Sequence, residues 1–131
     1  MLIELLKVTE CPGSLWLAEA RAPFGHAAVR WYGDRAAEPG EYHVEWTIDE
    51  DIIWGQNATA AGGVGPGLRT GGQCVVLRGQ LGLTEDGAAL LDFDGTHILL
   101  DLADPPPGEV AGGWVELFIQ REKAGLHPYV L

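Results

Sequence analysis

Apolar and polar residues alternate strictly between positions 41 and 49. Tyr42, Val44, Trp46 and Ile48 fall on one side, and Glu41, His43, Glu45, Thr47 and Asp49 on the other. A period of two is that of a strand with one face buried. The pattern predicts that the four apolar residues are buried while His43, Glu45 and Thr47 are more exposed. Ile52, Ile53 and Trp54 follow after the acidic interruption Asp49-Glu50-Asp51, which reads as a bulge or turn within a longer strand over 41–54.

The second half repeats the signal with sharper punctuation. Thr84-Glu85-Asp86-Gly87 separates apolar residues 75–83 from 88–93, and Asp94-Gly95 separates that run from 96–102. Asp-Gly between apolar runs marks a hairpin, because glycine accepts the positive φ of a tight turn. Residues 74–102 are predicted to form a three-stranded antiparallel meander.

Elsewhere the elements are shorter. Residues 2–9 read as a strand ended by Pro12-Gly13-Ser14, and 26–32 as another closed by Gly33-Asp34. Residues 15–22 fit either a helix capped by Ser14 and stopped by Pro23, or a strand; a hairpin with 2–9 favours the strand. Residues 113–120 place Val115, Leu117 and Ile119 on one face and Trp114 on the other. The apolar end, 126–131, is expected to dock as a terminal edge strand.

Residues 55–73 lose all periodicity and hold seven glycines. They read as one long mobile loop, a candidate lid or contact segment. Pro105-Pro106-Pro107-Gly108 reads as a stiff connector. About eight strands without a helix predict an all-β domain over 1–131, a small antiparallel barrel or a two-sheet sandwich. The strand at 41–54, the meander and the strand at 113–120 can be arranged as a five-stranded barrel of OB type. The usual helix between the third and fourth strands is missing, so OB is an architectural analogy only.

The chain has 131 residues, which suits one domain. A domain of that size buries roughly two-thirds of its unfolded surface and can fold without metal or disulfide help. The net charge is −11. Ten acids face four bases in residues 1–65, and nine face four in 66–131, so there is neither an acidic tail nor a basic patch. Binding to nucleic acid needs clustered Lys and Arg, so no nucleic-acid partner is expected. No apolar run reaches the ~18 residues of a membrane span, and no membrane contact is expected. Met1-Leu2-Ile3-Glu4 has no basic leader region, which points to a cytoplasmic protein. Cys11 and Cys74 lack metal-site spacing and read as buried small hydrophobes.

Candidate chemistry is sparse. Asp92-Phe93-Asp94-Gly95-Thr96 matches the DxDGT signature of haloacid-dehalogenase-type phosphatases. That resemblance would make Asp92 a nucleophile and Asp94 an acid/base. Too few residues follow Thr96 to build the Rossmann-like domain the signature opens, and a hairpin turn explains the same residues. Glu41, His43 and Glu45 share one strand face about 7 Å apart per step. With Asp49 or Asp51 they have the chemistry of a divalent-metal site, but no third or fourth ligand is supplied at a fixed place, and a solvated polar face explains them. No metal or other cofactor is expected. Ser14 is the one serine and sits in a turn, so no serine nucleophile is expected. Gly63, Gly65 and Gly67 lack the Lys and Ser/Thr of a phosphate loop.

Trp54, at the entrance to the glycine-rich stretch, and Trp114, opposite the apolar face of its strand, remain as candidates for a contact surface. The expectation is a non-enzymatic binding module with an acidic surface, engaging a protein partner, a basic one by charge. Glu41, His43, Glu45, Asp49, Asp51, Trp54 and Trp114 are the contact candidates. The alternative is a β-barrel holding a small ligand under the 55–73 loop, and a less favoured one is an enzyme with an unfamiliar carboxylate or metal site. Free sheet edges and the apolar end also suggest a homodimer.

Overall fold

The computed structural model describes residues 1–131 and contains eleven strands and no helix. β1 (Leu2–Cys11), β2 (Leu15–Ala22) and β3 (Gly25–Trp31) form an antiparallel meander. The two-way reading of 15–22 resolves as strand. Pairing on both edges gives every other residue a core partner, and Ala18 and Ala20 are buried.

β4 (Gly40–Ile48) pairs with β1 through residues 40–43 and with β11 (Ala124–Tyr129) through residues 43–48. β11 also runs parallel to β3, with Gly125 opposite Arg30 and Leu126 opposite Trp31. The ring β1-β2-β3-β11-β4-β1 is therefore a closed five-stranded barrel. It matches the OB analogy in strand number and Greek-key path, and residues 32–39 link β3 to β4 without a helix.

The barrel is not built from the strands expected for it. The meander and the strand at 113–120 lie outside it, in a second group of strands. β6 (Gly67–Gly71), β7 (Cys74–Leu83), β10 (Trp114–Gln120) and β5 (Ala58–Ala60) are hydrogen-bonded in that order. β8 (Ala89–Phe93) continues from the far half of β7, and β9 (Thr96–Leu100) pairs with β8 alone. The expected meander over 74–102 is thus present as β7-β8-β9. Asp94 and Gly95 both have positive φ, 52° and 85°, as a two-residue hairpin turn requires. In the other turn, hydrogen bonds from the Thr84 hydroxyl and then from the backbone N–H groups of Ala88 and Asp86 lower the Asp86 carboxyl below its ordinary range.

Three further expectations need correction. The 55–73 stretch is not one loop, because β5 and β6 occupy part of it; β5 pairs with the distant β10, and β6 forms a local hairpin with β7 through Gly72-Gln73. The C-terminal segment is not an edge strand. β11 is paired on both sides and closes the barrel, with Leu126 fully buried; Tyr129, Val130 and Leu131 stand out, 40%, 97% and 87% exposed. The segment is therefore covered by its own barrel up to Pro128, while Tyr129 and Leu131, the residues on which a homodimer was expected to form, remain exposed. Finally, β4 stops at Ile48 rather than running to 54. Beyond it Ile52 makes a single parallel bridge to Leu102, and Trp54 one to Ala58.

Barrel and second sheet share one core of 28 buried residues, among them Leu5, Val29 and Val44 from the barrel and Leu77, Leu91 and Leu117 from the second sheet. No charged or polar residue is buried. The alternation of β4 holds from Val44 onward: Val44, Trp46 and Ile48 are buried, while Glu45 and Thr47 are exposed. Tyr42 and His43 break it, being equally half-buried, because each ring has an aromatic neighbour. Tyr42 meets Trp31 edge-on at 5.7 Å and His43 lies 6.0 Å from Tyr129.

Gly25 is where the two sheets touch. It forms the one bridge between β3 and β6, opposite Leu68. Its φ is +146°, and a Cβ built on it would sit 1.8 Å from the Leu68 carbonyl oxygen. Gly25→Ala is expected to cost more than about 1 kcal/mol, because the backbone geometry suits glycine alone and a backbone atom occupies the space. A urea melt with an unchanged midpoint would show that β6 can move away freely.

Candidate functional site

The largest cleft, about 610 Å³, lies between β4 and β9. Its origin is in the pairing. The Val44 N–H donates to the Met1 carbonyl on the β1 side, and the Asp49 N–H donates to the Lys123 carbonyl on the opposite side, at the start of β11. Backbone groups of a strand point to alternate edges. Trp46 and Ile48 therefore direct their N–H and C=O groups the same way as Val44. No strand pairs with β4 there beyond residue 43.

β9 shows the same thing from the other side. Phe93 and Thr96 close the hairpin, so Thr96, Ile98 and Leu100 point their backbone groups at β8. His97, Leu99 and Asp101 point theirs away from it. The Asp101 carbonyl accepts a hydrogen bond from the Ile52 N–H at 2.8 Å, and the Ile52 carbonyl accepts one from the Ala103 N–H at 3.0 Å. The segments that follow β4 and β9 join there, and the two strands themselves do not pair. Above that junction Trp46 and Ile48 on one wall, and His97 and Leu99 on the other, present unpaired backbone donors and acceptors.

Side chains add charge and apolar surface. Glu45, Thr47, His97, Leu99, Asp101 and Tyr129 line the cleft, together with Met1 and Val44. Leu99 is 74% exposed. The molecule holds one ion pair, Arg21 with Glu4 at 2.7 Å, so Glu45 and Asp101 have no basic partner.

The contact candidates read from the sequence do not converge. Glu41, His43 and Glu45 share the outer face of β4, as their spacing requires, but only Glu45 reaches the cleft. Glu41 borders a different groove, beside the Arg21–Glu4 pair. His43 leans on Tyr129. Asp49 is exposed at the end of the strand, and the Asp51 carbonyl accepts from Asn57 Nδ2 at 2.8 Å. Trp54 and Trp114 are both half-buried rather than exposed, and the Trp54 indole N–H is enclosed without an acceptor. No three His, Cys, Asp or Glu side chains come close enough together to hold a metal ion.

The DxDGT residues are a hairpin turn. Asp92 Oδ1 accepts from the Gly95 N–H at 3.0 Å, and Phe93 between them is fully buried. Cys11 and Cys74 are free and half-buried, less enclosed than expected. His97, Leu99 and Asp101 were missed as cleft residues. Their sequence signal is their odd-numbered alternation with Ile98 and Leu100, which puts all three on one face of β9.

No family model, curated protein or solved structure matches this chain. No helix is long and apolar enough to cross a membrane.

Proposed function

We propose that this protein is a binding module that receives an extended, basic segment of a partner protein along the β4/β9 cleft. The observation that carries the reading is the coincidence, in one cleft, of four residues with unpaired backbone groups, two carboxylates without cations and an exposed leucine. An extended peptide supplies main-chain donors and acceptors for free strand edges, and its alternate side chains give specificity. Lys or Arg at alternate positions would meet Glu45 and Asp101, and an apolar residue would meet Leu99. The net charge of −11 draws such a segment in from a distance. A cytoplasmic setting fits the two free thiols.

The small-ligand alternative has less support. The space beside β6 is about 170 Å³ and is crowded by Arg78, whose Nε donates to the Gly65 carbonyl at 2.9 Å. Ligand pockets are commonly about 300–1,000 Å³.

The test is an amide-shift titration of the labelled protein with the capped peptide Lys-Val-Lys-Val-Lys-Val. Saturable shifts centred on the amides of Trp46, Ile48, His97 and Leu99, with slowed exchange there, are the expected result. Shifts spread over the acidic surface without saturation would overturn the reading.

A further inference from the structure

We propose a second, separate binding site at the barrel rim, between the β1–β2 turn and the β3–β4 connection, for an oxyanion: the carboxylate or phosphate group of a small ligand. A pocket of about 210 Å³ opens there, lined by Ser14, Trp16, Arg30, Trp31, Tyr32 and Arg35 among others. Two of the eight basic side chains of a strongly acidic protein meet in it.

Neither guanidinium has a carboxylate partner, since the one ion pair of the molecule is Arg21 with Glu4. Both are instead laid on aromatic faces, Arg30 at 4.9 Å from the Tyr32 ring centre and Arg35 at 5.3 Å from that of Trp16. A ring face holds the flat cation while leaving its N–H edges free. The nearest acid in sequence, Asp34, already accepts the Ala36 N–H on Oδ1 at 2.8 Å.

Trp16 forms a wall of the pocket, with the Arg35 guanidinium laid over its ring and its own indole N–H enclosed away from solvent. It reports on the site without donating into it. The neighbouring Trp31 is also committed elsewhere, donating from Nε1 to the Asp34 carbonyl at 2.8 Å. The side chains around the pocket thus offer two guanidinium forks and the Ser14 hydroxyl. Donors without acceptors describe a site for an anion with several oxygens, and the fork geometry of arginine matches a carboxylate or a phosphate.

The site is tested with the full chain, labelled at the tryptophan indoles, titrated separately with inorganic phosphate, benzoate and, as a control, chloride. The expected result is a saturable shift of the Trp16 indole signal with one or both oxyanions and none with chloride, the Trp31 signal moving little. Saturation with phosphate alone assigns a phosphate group, with benzoate alone a carboxylate, and with both a general oxyanion site. Arg35→Ala lies on an exposed loop and should keep the melting temperature while weakening the apparent affinity at least fivefold; Arg30→Gln should do the same. Absence of saturation with both oxyanions, or unchanged affinity in a folded Arg35→Ala variant, overturns the proposal. Neither result bears on the β4/β9 cleft, whose residues are not involved.

Discussion

Replacing Phe93 with alanine is expected to lower the stability by about 3–5 kcal/mol, the range for truncating a buried aromatic. Phe93 ends β8, outside the barrel, and is fully buried. Its ring meets Phe24 edge-on at 5.1 Å and Trp46 edge-on at 5.5 Å. Phe24 sits between β2 and β3, and Trp46 on β4, so both partners belong to the barrel. Phe93 is therefore the plug through which the second sheet is held against the barrel. A domain of this kind has about 5–15 kcal/mol of stability in all, so the loss is a large share. Urea unfolding followed by tryptophan fluorescence and by far-ultraviolet circular dichroism measures it. In the parent protein the two signals should coincide, because one core spans both sheets. A loss below about 1 kcal/mol would mean that the cavity closes easily and the sheets are not joined here. Trp46→Ala should fall in the same range, and the double variant should lose less than the sum, because the two rings touch.

The all-β class was legible because it is written in local signals. The two-residue period of β4 and the Asp-Gly turn of the meander depend only on neighbours in sequence; the turn survives in the structure, and so does the period from Val44 onward. Barrel closure was not legible. It rests on Gly125 and Leu126 lying beside Arg30 and Trp31, a pairing across nearly the whole chain. No local pattern separates a closing strand from an edge strand, since both are short and apolar. The glycine-rich stretch failed for a different reason, since β6 and β7 form a local hairpin. Gly67–Gly71 is a strand because β7 offers it an edge, with Leu68 opposite Leu77, and not because its residues prefer one.

The site was half legible. Glu45 was found because its strand alternates cleanly. Trp54 was chosen for its place at the entrance to the glycine-rich stretch and Trp114 for facing away from the apolar side of its strand, yet both are half-buried. The cleft itself is a property of absence: β4 and β9 run beside each other unpaired, and the chain closes the gap only beyond their ends, at the Ile52–Leu102 bridge. Sequence patterns report which side chains face the core, but they carry no mark for a backbone group without a partner.

Reversing both cleft charges, Glu45→Lys with Asp101→Lys, is expected to weaken binding of the Lys-Val peptide on the order of tenfold to a hundredfold. Exposed ion pairs are worth ~0.2–1 kcal/mol each. Reversal replaces attraction with repulsion, so two positions together change the balance by roughly 1–3 kcal/mol, and each 1.4 kcal/mol is a factor of ten. Glu45 and Asp101 are exposed and make no side-chain hydrogen bond, so the fold should be indifferent to the change. The variant's melting temperature checks that directly. The loss should appear mainly in the association rate and should shrink as salt is raised, since screening acts within about 10 Å at 0.1 M. An acidic counterpart, Glu-Val-Glu-Val-Glu-Val, should bind the reversed variant better than the parent. If charge reversal leaves the affinity for the basic peptide unchanged while the backbone shifts persist, the cleft takes extended chains without regard to charge. If Glu41→Lys, outside the cleft, weakens binding as much as Glu45→Lys, the attraction is to the acidic surface as a whole and the cleft is not the site.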